Sequence, residues 1–155
     1  MEFLVLNYGY FVIIKNKIMF IPKGIKFLKY TKGKQFNRIY KNIRYNKLQR
    51  GNLGLQVLSA NHINSKQYTA IRFSINKIIK KIGILVFWSY PNLPVSRRKT
   101  STRMGKGKSK ANHWVFRVRP GFIFCEIQTD MKEKGIAALK AAQYRIPIRT
   151  RIIYN

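Results

Sequence analysis

The chain has 155 residues, which is the length of a single domain that buries an apolar core without covalent or metal staples. It carries 32 Lys and Arg against 4 Asp and Glu, a formal net charge of +28, and internal ion pairs cannot neutralise it because no acid lies between Glu2 and Glu126. The composition therefore predicts a polyanionic partner, with nucleic acid as the first candidate, and the single Cys125 excludes an internal disulfide framework.

The first segment, residues 1–21, is apolar and raises the question of a membrane. Its uncharged run covers only Phe3 to Ile14, well short of the roughly twenty residues of a spanning helix. A signal peptide would begin with positive charge and end in small residues, whereas here Glu2 leads and bulky residues follow. We interpret residues 1–21 as a strand-like N-terminal extension that contacts a protein partner, and we predict no membrane association.

The next segment is a basic arm, residues 22–53. Residues 15–50 contain twelve Lys or Arg and no acid, with aromatic residues such as Phe27, Tyr30 and Tyr40 between them. Such a run is either a solvated arm or an RNA-contacting arm whose cations meet phosphates while its aromatic rings stack on bases. The interleaved aromatics favour the second interpretation, because purely solvating tails are poor in them.

A helix is predicted from Asn64 to Gly83. Apolar residues recur at steps of three and four, with Asn64 as the cap and Gly83 as the end; they are Tyr68, Ile71, Ile75, Ile78 or Ile79, and Ile82. The opposite face is polar and comprises Arg72, Asn76, Lys77, Lys80 and Lys81. This face is either ordinary solvated surface or a phosphate contact, and the charge of the rest of the chain favours phosphate contact.

The remaining elements complete one α+β domain. The run "ILVFWSY" at 84–90 predicts a buried strand, and 113–127 predicts a hairpin around a type II-like turn at Pro120-Gly121, with one core face and one cationic face. Asp130, with Glu133 as its capping-box partner, is expected to begin a second helix that runs to about Tyr144. Pro147 stops this helix, and 148–154 closes the chain as a strand.

Residues 97–112 form a predicted projecting loop that is rich in glycine and lysine. Its letters "GKS" resemble the end of a nucleotide-binding P-loop, but Thr102 stands where that pattern needs glycine and no apolar strand leads into it. We therefore interpret the loop as a binding element for a polymer of phosphates. Its glycines let the loop backbone approach the backbone of that polymer closely. The charge along it comes from Arg97, Arg98, Lys99, Arg103, Lys106, Lys108 and Lys110.

Catalytic chemistry is not indicated. Glu126, Asp130 and Glu133 lie at a strand end and a helix start, where capping accounts for the last two. His62, His113 and Cys125 are far apart and lack the spacing of metal ligands. We predict a protein that is not an enzyme and that uses no cofactor, metal or small-molecule substrate.

The sequence resembles the large-subunit ribosomal protein L-sixteen family of bacteria and organelles, which is related to the L-ten-e proteins of other ribosomes. "RMGKGK" at 103–108 is the most specific string. The resemblance runs over about 22–150, through "GLQVL" at 54–58, "NSKQYTAIRFSINKIIKKIG" at 64–83, "YPNLPVS" at 90–96, "HWVFRVRPG" at 113–121 and "KGIAALKAAQYRIPIRT" at 134–150. Ser109 departs from the family's usual glycine, and "ILVFWSY" departs from its usual cationic strand.

The resemblance implies an α/β-hammerhead-like fold with two helices packed on antiparallel strands, spanning residues 22–155. It implies binding to large-subunit rRNA beside neighbouring ribosomal proteins, near the A-site and P-site tRNAs and the peptidyl transferase region. Its implied loop is Arg103, Met104, Gly105, Lys106, Gly107 and Lys108, with Arg97, Arg98, Arg117 and Arg119 anchoring the stem. Lys29, Lys32, Lys34 and Arg38 would belong to the arm on rRNA, and we add Arg72, Lys80 and Lys81 from the helix.

The sequence leaves one alternative open for the function and one for the location. A non-ribosomal packaging protein would share the charge but would bind nucleic acids of many shapes with comparable affinity. The abundance of Ile, Lys, Asn, Phe and Tyr, which AT-rich codons encode, favours a ribosome in the mitochondrial matrix. A plastid or a bacterial cytoplasm is the alternative location.

Overall fold

A computed structural model describes residues 12–14, 17–19, 22, 29–31, 46–80 and 82–155. Near the N-terminus, strands β1 (Val12–Ile14) and β2 (Lys17–Met19) pair antiparallel, as expected of a strand-like extension. Lys32, Lys34, Arg38 and Lys81 lie outside the described residues, as does most of the arm.

Two antiparallel sheets form the body. The four-stranded sheet has the order β5-β8-β3-β9, with β3 Leu53–Val57, β5 Gly83–Phe87, β8 Ile123–Thr129 and β9 Thr150–Tyr154. The three-stranded sheet has the order β4-β7-β6, with β4 Asn61–Asn64, β6 Leu93–Ser96 and β7 Ala111–Val118. Pro94 in β6 lies on an edge strand, where a missing N–H is tolerated.

Helices α1 (Ser65–Ile79) and α2 (Lys132–Gln143) pack against each other and on the four-stranded sheet. The core between them is fully buried at Leu55, Ile71, Ile75 and Leu139. This arrangement confirms the predicted α+β class with two helices packed on antiparallel strands. Within the described ranges, no helix combines the length and apolar character needed to cross a membrane.

The first helix confirms most of its prediction. Asn64 caps it: the side-chain oxygen accepts the Lys66 N–H, and the Gln67 side chain accepts the Asn64 N–H at 2.9 Å. Its buried residues are Tyr68, Ile71, Ile75 and Ile79, as the periodicity indicated. The predicted end at Gly83 is wrong, because the helix ends at Ile79 and Lys80 turns the chain with a φ of 47°.

Gly83 instead begins β5, where a Cβ would lie 2.6 Å from the carbonyl oxygen of Gln128. The strand is also not the buried strand predicted over 84–90. It ends at Phe87 and forms the edge of its sheet, so that Ile84 is 59% exposed.

The predicted hairpin over 113–127 is wrong, although its turn is present. Gly121 has a φ of 87°, and the Phe122 N–H donates to the Arg119 oxygen at 3.3 Å. Beyond the turn, however, the Val57 N–H donates to the Phe122 oxygen and the Gly121 N–H to the Val57 oxygen, at 2.9 and 2.7 Å. This pairing draws β8 beside β3, while β7 stays between β4 and β6 in the other sheet.

The two-faced pattern predicted for β7 also fails in part. Trp114 and Val115 are both buried although they point to opposite faces, and Arg117 is half-buried. Both faces of the central strand are therefore covered at this point.

The second helix ends at Gln143 with Tyr144 as its C-cap, as predicted, but it begins differently. Met131 is the N-cap residue and makes no side-chain cap, while Asp130 and Glu133 are exposed. The Asp130–Glu133 capping box is therefore wrong, because the Thr129 hydroxyl accepts the Met131 N–H at 3.3 Å instead. The closing strand is confirmed by β9.

These two helix starts give a matched test. Asn64→Ala is expected to lower the free energy of unfolding by about 1 kcal/mol, within a range of about 0.5 to 2, because it removes a cap. Asp130→Ala is expected to change it by less than about 0.5 kcal/mol, since Asp130 is exposed and caps nothing. Urea unfolding at high salt measures both, and equal losses would contradict the assignment of the caps.

Candidate nucleic-acid interface

The glycine- and lysine-rich loop is a hairpin loop of the three-stranded sheet. Strands β6 and β7 pair antiparallel with Ser96 opposite Ala111, so residues 97–110 leave the sheet and return to it. Nearly all of them are exposed, and Met104 is 86% exposed. Residues 97–110 thus form an exposed connection between two paired strands, and their projection from the body stays a prediction.

The two glycines give the loop tip its shape. Gly105 and Gly107 have φ values of 81° and 72°, in the left-handed region that other residues adopt only with strain. A Cβ at either position would meet nothing within 4 Å. The conformation, and not crowding within the chain, explains the glycines, and the backbone at the tip is accessible to another molecule.

The base of the loop is ordered by its own hydrogen bonds. The Thr102 N–H donates to the Lys99 oxygen at 3.1 Å, and Arg98 Nε donates to the Thr102 oxygen at 2.9 Å. The second guanidinium nitrogen, Nη2, donates to the same oxygen. Arg98 therefore shapes the loop, while Arg97, Lys99 and Arg103 extend into solvent around it.

The structure joins the loop to the basic arm. Lys108 Nζ donates to the carbonyl oxygen of Tyr30 at 2.5 Å, across 78 residues of sequence. Lys29, Tyr30 and Thr31 are all exposed beside this contact. The contact between arm and loop was not predicted, because every residue has a main-chain carbonyl and the sequence does not indicate which one accepts a hydrogen bond.

The other predicted contacts are dispersed over the body. Arg72 lies half-exposed on α1, and Lys80 is exposed at the end of that helix. Arg117 lies opposite His62 in β7, six residues from Ala111 or about 20 Å at the rise of a strand, and Arg119 follows β7 in an exposed position. Arg117 and Arg119 therefore do not belong to the loop stem, and their contact with RNA stays a prediction.

A single buried carboxylate fixes the end of the arm. Glu126 is 1% exposed, and its oxygens accept the N–H groups of Gln49 at 3.2 Å and of Arg50 and Gly51 at 2.9 Å. Hydrogen bonds from backbone amides to a carboxylate are stronger than neutral ones. Glu126 thus holds the backbone of residues 49–51 against the body.

This segment covers the face of the four-stranded sheet that the helices leave open. Glu126 lies opposite Gly54, one residue out of phase with Leu53 and Leu55, which face the helices. A Cβ on Gly54 would lie 2.4 Å from Leu48, so that the segment packs directly on the strand. In the sequence, Glu126 lies close to Asp130 and Glu133, and no separate role was predicted for it. Its position within an apolar strand was the one signal that could have indicated the burial of its side chain.

The other buried polar groups are structural. Burial, with a smaller contribution from neighbouring Glu126, raises the pKa of the Cys125 thiol and keeps it protonated, unlike a reactive thiolate. Burial also raises the pKa of Tyr68, whose hydroxyl donates to the Ser89 oxygen at 2.7 Å. No group of three or more His, Cys, Asp or Glu in the described part of the chain is placed to hold a metal ion.

The sequence is also similar to that of known proteins. Residues 22–153 match a family model described as ribosomal protein L16p/L10e. The large ribosomal subunit protein uL16c of Euglena longa is 39% identical over 137 residues, covering 88% of this chain and 99% of the relative. The large ribosomal subunit protein uL16 of Chlamydia trachomatis serovar D is 38% identical over 135 residues, covering 87% and 96% respectively.

The buried carboxylate gives a second test. Glu126→Gln is expected to lower the free energy of unfolding by about 2 to 3 kcal/mol, because the new NH₂ group faces backbone donors. Amide hydrogen exchange at Gln49, Arg50 and Gly51 is expected to accelerate. The control is Glu133→Gln on the exposed first turn of α2, worth no more than about 1 kcal/mol through the helix dipole. Unchanged exchange at those three amides in Glu126→Gln would refute the anchoring role.

Proposed function

Because the chain belongs to the ribosomal protein L16p/L10e family and is a protein of the large ribosomal subunit, we propose that it binds large-subunit rRNA and helps shape the site that receives aminoacyl-tRNA. In this proposal it is a structural constituent of the ribosome and not an enzyme. The observation that carries the proposal is the exposed hairpin loop 97–110, whose tip "RMGKGK" combines accessible backbone with dense positive charge.

The chemistry of the loop fits an RNA backbone. Gly105 and Gly107 leave the main chain uncovered, so that phosphates or riboses can approach its N–H groups. Around this tip lie the exposed side chains of Arg103, Lys106 and Lys110, which supply positive charge along an RNA strand. No acid occurs in the loop to compete for these cations. The tip is proposed to reach the A-site and P-site tRNAs near the peptidyl transferase region.

The arm is proposed to extend the same contact over rRNA. Its described part, Lys29 to Thr31, is exposed beside Lys108, and its end is held on the sheet by Glu126. Lysines and arginines that neutralise phosphates, together with aromatic rings that stack on bases, are the usual means of gripping single-stranded regions. Neighbouring large-subunit proteins are the further partners that we propose, with residues 1–21 as their contact.

Location is a separate proposal. The residue usage that AT-rich codons favour supports a ribosome of the mitochondrial matrix, with a plastid or a bacterial cytoplasm as the alternative. Cell fractionation with antibody detection tests it: enrichment with matrix markers supports the mitochondrial assignment, and enrichment with plastid markers overturns it.

The rival function, a packaging protein outside the ribosome, is favoured by the net charge of +28 alone. Sedimentation of a lysate through a high-salt gradient separates the two. An integral ribosomal protein co-migrates with intact large subunits after the wash, because its folded contacts supplement the electrostatic ones. A packaging protein is released into the light fractions, since a purely electrostatic grip weakens steeply with salt.

The loop gives a third prediction. Replacing Lys106 and Lys108 together with alanine is expected to slow tRNA accommodation or late subunit assembly, while each change alters the free energy of unfolding by less than about 0.5 kcal/mol. Lys106→Ala alone separates the loss of loop charge from the loss of the Lys108–Tyr30 hydrogen bond. Single-turnover accommodation and gradient profiles of ribosomes carrying the variants measure the effects.

The matched control replaces Lys132 and Lys134, which are equally exposed on α2, with alanine. This control changes the net charge by the same amount at a site away from the loop, and it is expected to leave accommodation and assembly intact. Normal translation by ribosomes with both loop changes would count against the proposed role of the tip.

A further inference from the structure

Helix α1 carries an exposed aromatic ring on the side away from the core. Phe73 is 55% exposed, whereas Ile71 and Ile75, two positions before and after it, are fully buried. At about 100° per residue, positions two apart on a helix lie about 160° away when measured around the shorter arc. Phe73 therefore points directly into solvent, and the apolar packing of the helix gives no reason for a phenylalanine there.

The ring lies within a stripe of cations. Lys66 and Lys77 are separated from Phe73 by seven and four residues, which places both within about 40° of it around the helix, and Lys80 follows directly after the last turn as the C-cap residue. All three are exposed. At about 1.5 Å per residue the stripe spans about 21 Å, with Phe73 at its midpoint. We refer to Lys66, Phe73, Asn76, Lys77 and Lys80 as the α1 stripe.

The α1 stripe also has a group that can read a base. Asn76 is exposed and lies about 60° from Phe73, three residues further along, where side chains on one helix face are neighbours. Its amide presents both a donor and an acceptor, as the edge of a nucleobase requires. A ring to stack on, an amide beside it and cations on both sides are the parts of a site for one unpaired nucleotide.

We propose that the α1 stripe binds an unpaired RNA base stacked on Phe73, with the adjoining phosphates on Lys66, Lys77 and Lys80. The proposal rests on the proposed rRNA function and deepens it by naming the form of RNA bound. Charge complementarity selects the occupant, because the stripe has no acid and a polyphosphate backbone meets its cations on both sides of the ring. A duplex would leave the ring without a base face to stack on.

The test uses the full chain and three probes: a short single-stranded RNA with a fluorescent adenine analogue that stacking quenches, the same RNA paired in a duplex, and polyglutamate. Phe73→Leu removes the ring and keeps an apolar side chain, while Phe73→Trp restores a ring. Tyr144→Leu is the matched control, since Tyr144 is 91% exposed at the end of α2. Circular dichroism establishes that each variant is folded.

Phe73→Leu is expected to weaken single-strand binding about five- to hundredfold and to abolish the quenching, the effect of losing one stacked base. It is expected to leave both duplex affinity and the salt dependence unchanged. Phe73→Trp restores binding, and Tyr144→Leu has no effect. Lys77→Ala, in contrast, is expected to reduce the slope of log affinity against log salt by about 0.7 while quenching persists.

Wild-type affinity and quenching in Phe73→Leu would overturn the stacking site, as would equal losses for single strand and duplex. A loss confined to polyglutamate would assign the stripe to an acidic protein and overturn it too. Failure of the wild-type chain to bind any RNA with salt dependence would instead overturn the proposed function itself. The two failures are therefore distinguishable within one set of titrations.

Discussion

Hydrogen bonds from the backbone of residues 49–51 to the buried carboxylate of Glu126 bring the basic arm and the body of the protein together. They attach the end of a strongly basic arm to β8, an inner strand of the four-stranded sheet. The carboxylate accepts three backbone N–H groups of the arm. The same contact closes the sheet face that the helices leave open, so that β8 is buried on both sides. The other face of this sheet packs under α1 and α2. The surface outside this core is therefore available for cationic side chains.

That separation of core from charge explains how a chain with a net charge of +28 can present several of the proposed RNA contacts at once. Strands β6 and β7 pair with each other in the three-stranded sheet, and this pairing holds the two ends of the loop in place. Helix α1 contributes to the core through one side and carries the α1 stripe on the other. In the proposed function, large-subunit rRNA supplies the counter-charge that the isolated chain lacks.

Local patterns could be read from the sequence, and contacts between distant segments could not. The face of α1 and its Asn64 cap were predictable because periodicity and capping act within a few residues, and the loop because glycine and lysine mark it directly. The turn at Pro120-Gly121 was equally local, but competition from Val57, more than sixty residues upstream, decided which strand β8 would join. Glu126 was missed for the same reason, since its partners are main-chain amides without a side-chain signature. Phe73 could have been found, because the periodicity that buries Ile71 and Ile75 places it opposite the core.

We propose that this chain holds large-subunit RNA through the loop 97–110 and the exposed face of α1. Ultraviolet cross-linking of intact large subunits, followed by mass spectrometry of the nucleotide-bearing peptides of this chain, tests it most directly. We expect cross-links within 97–110 and at Phe73, where a ring in contact with a base is photoreactive. Cross-links confined to α2 and β9, with both of these segments unmodified, would contradict it.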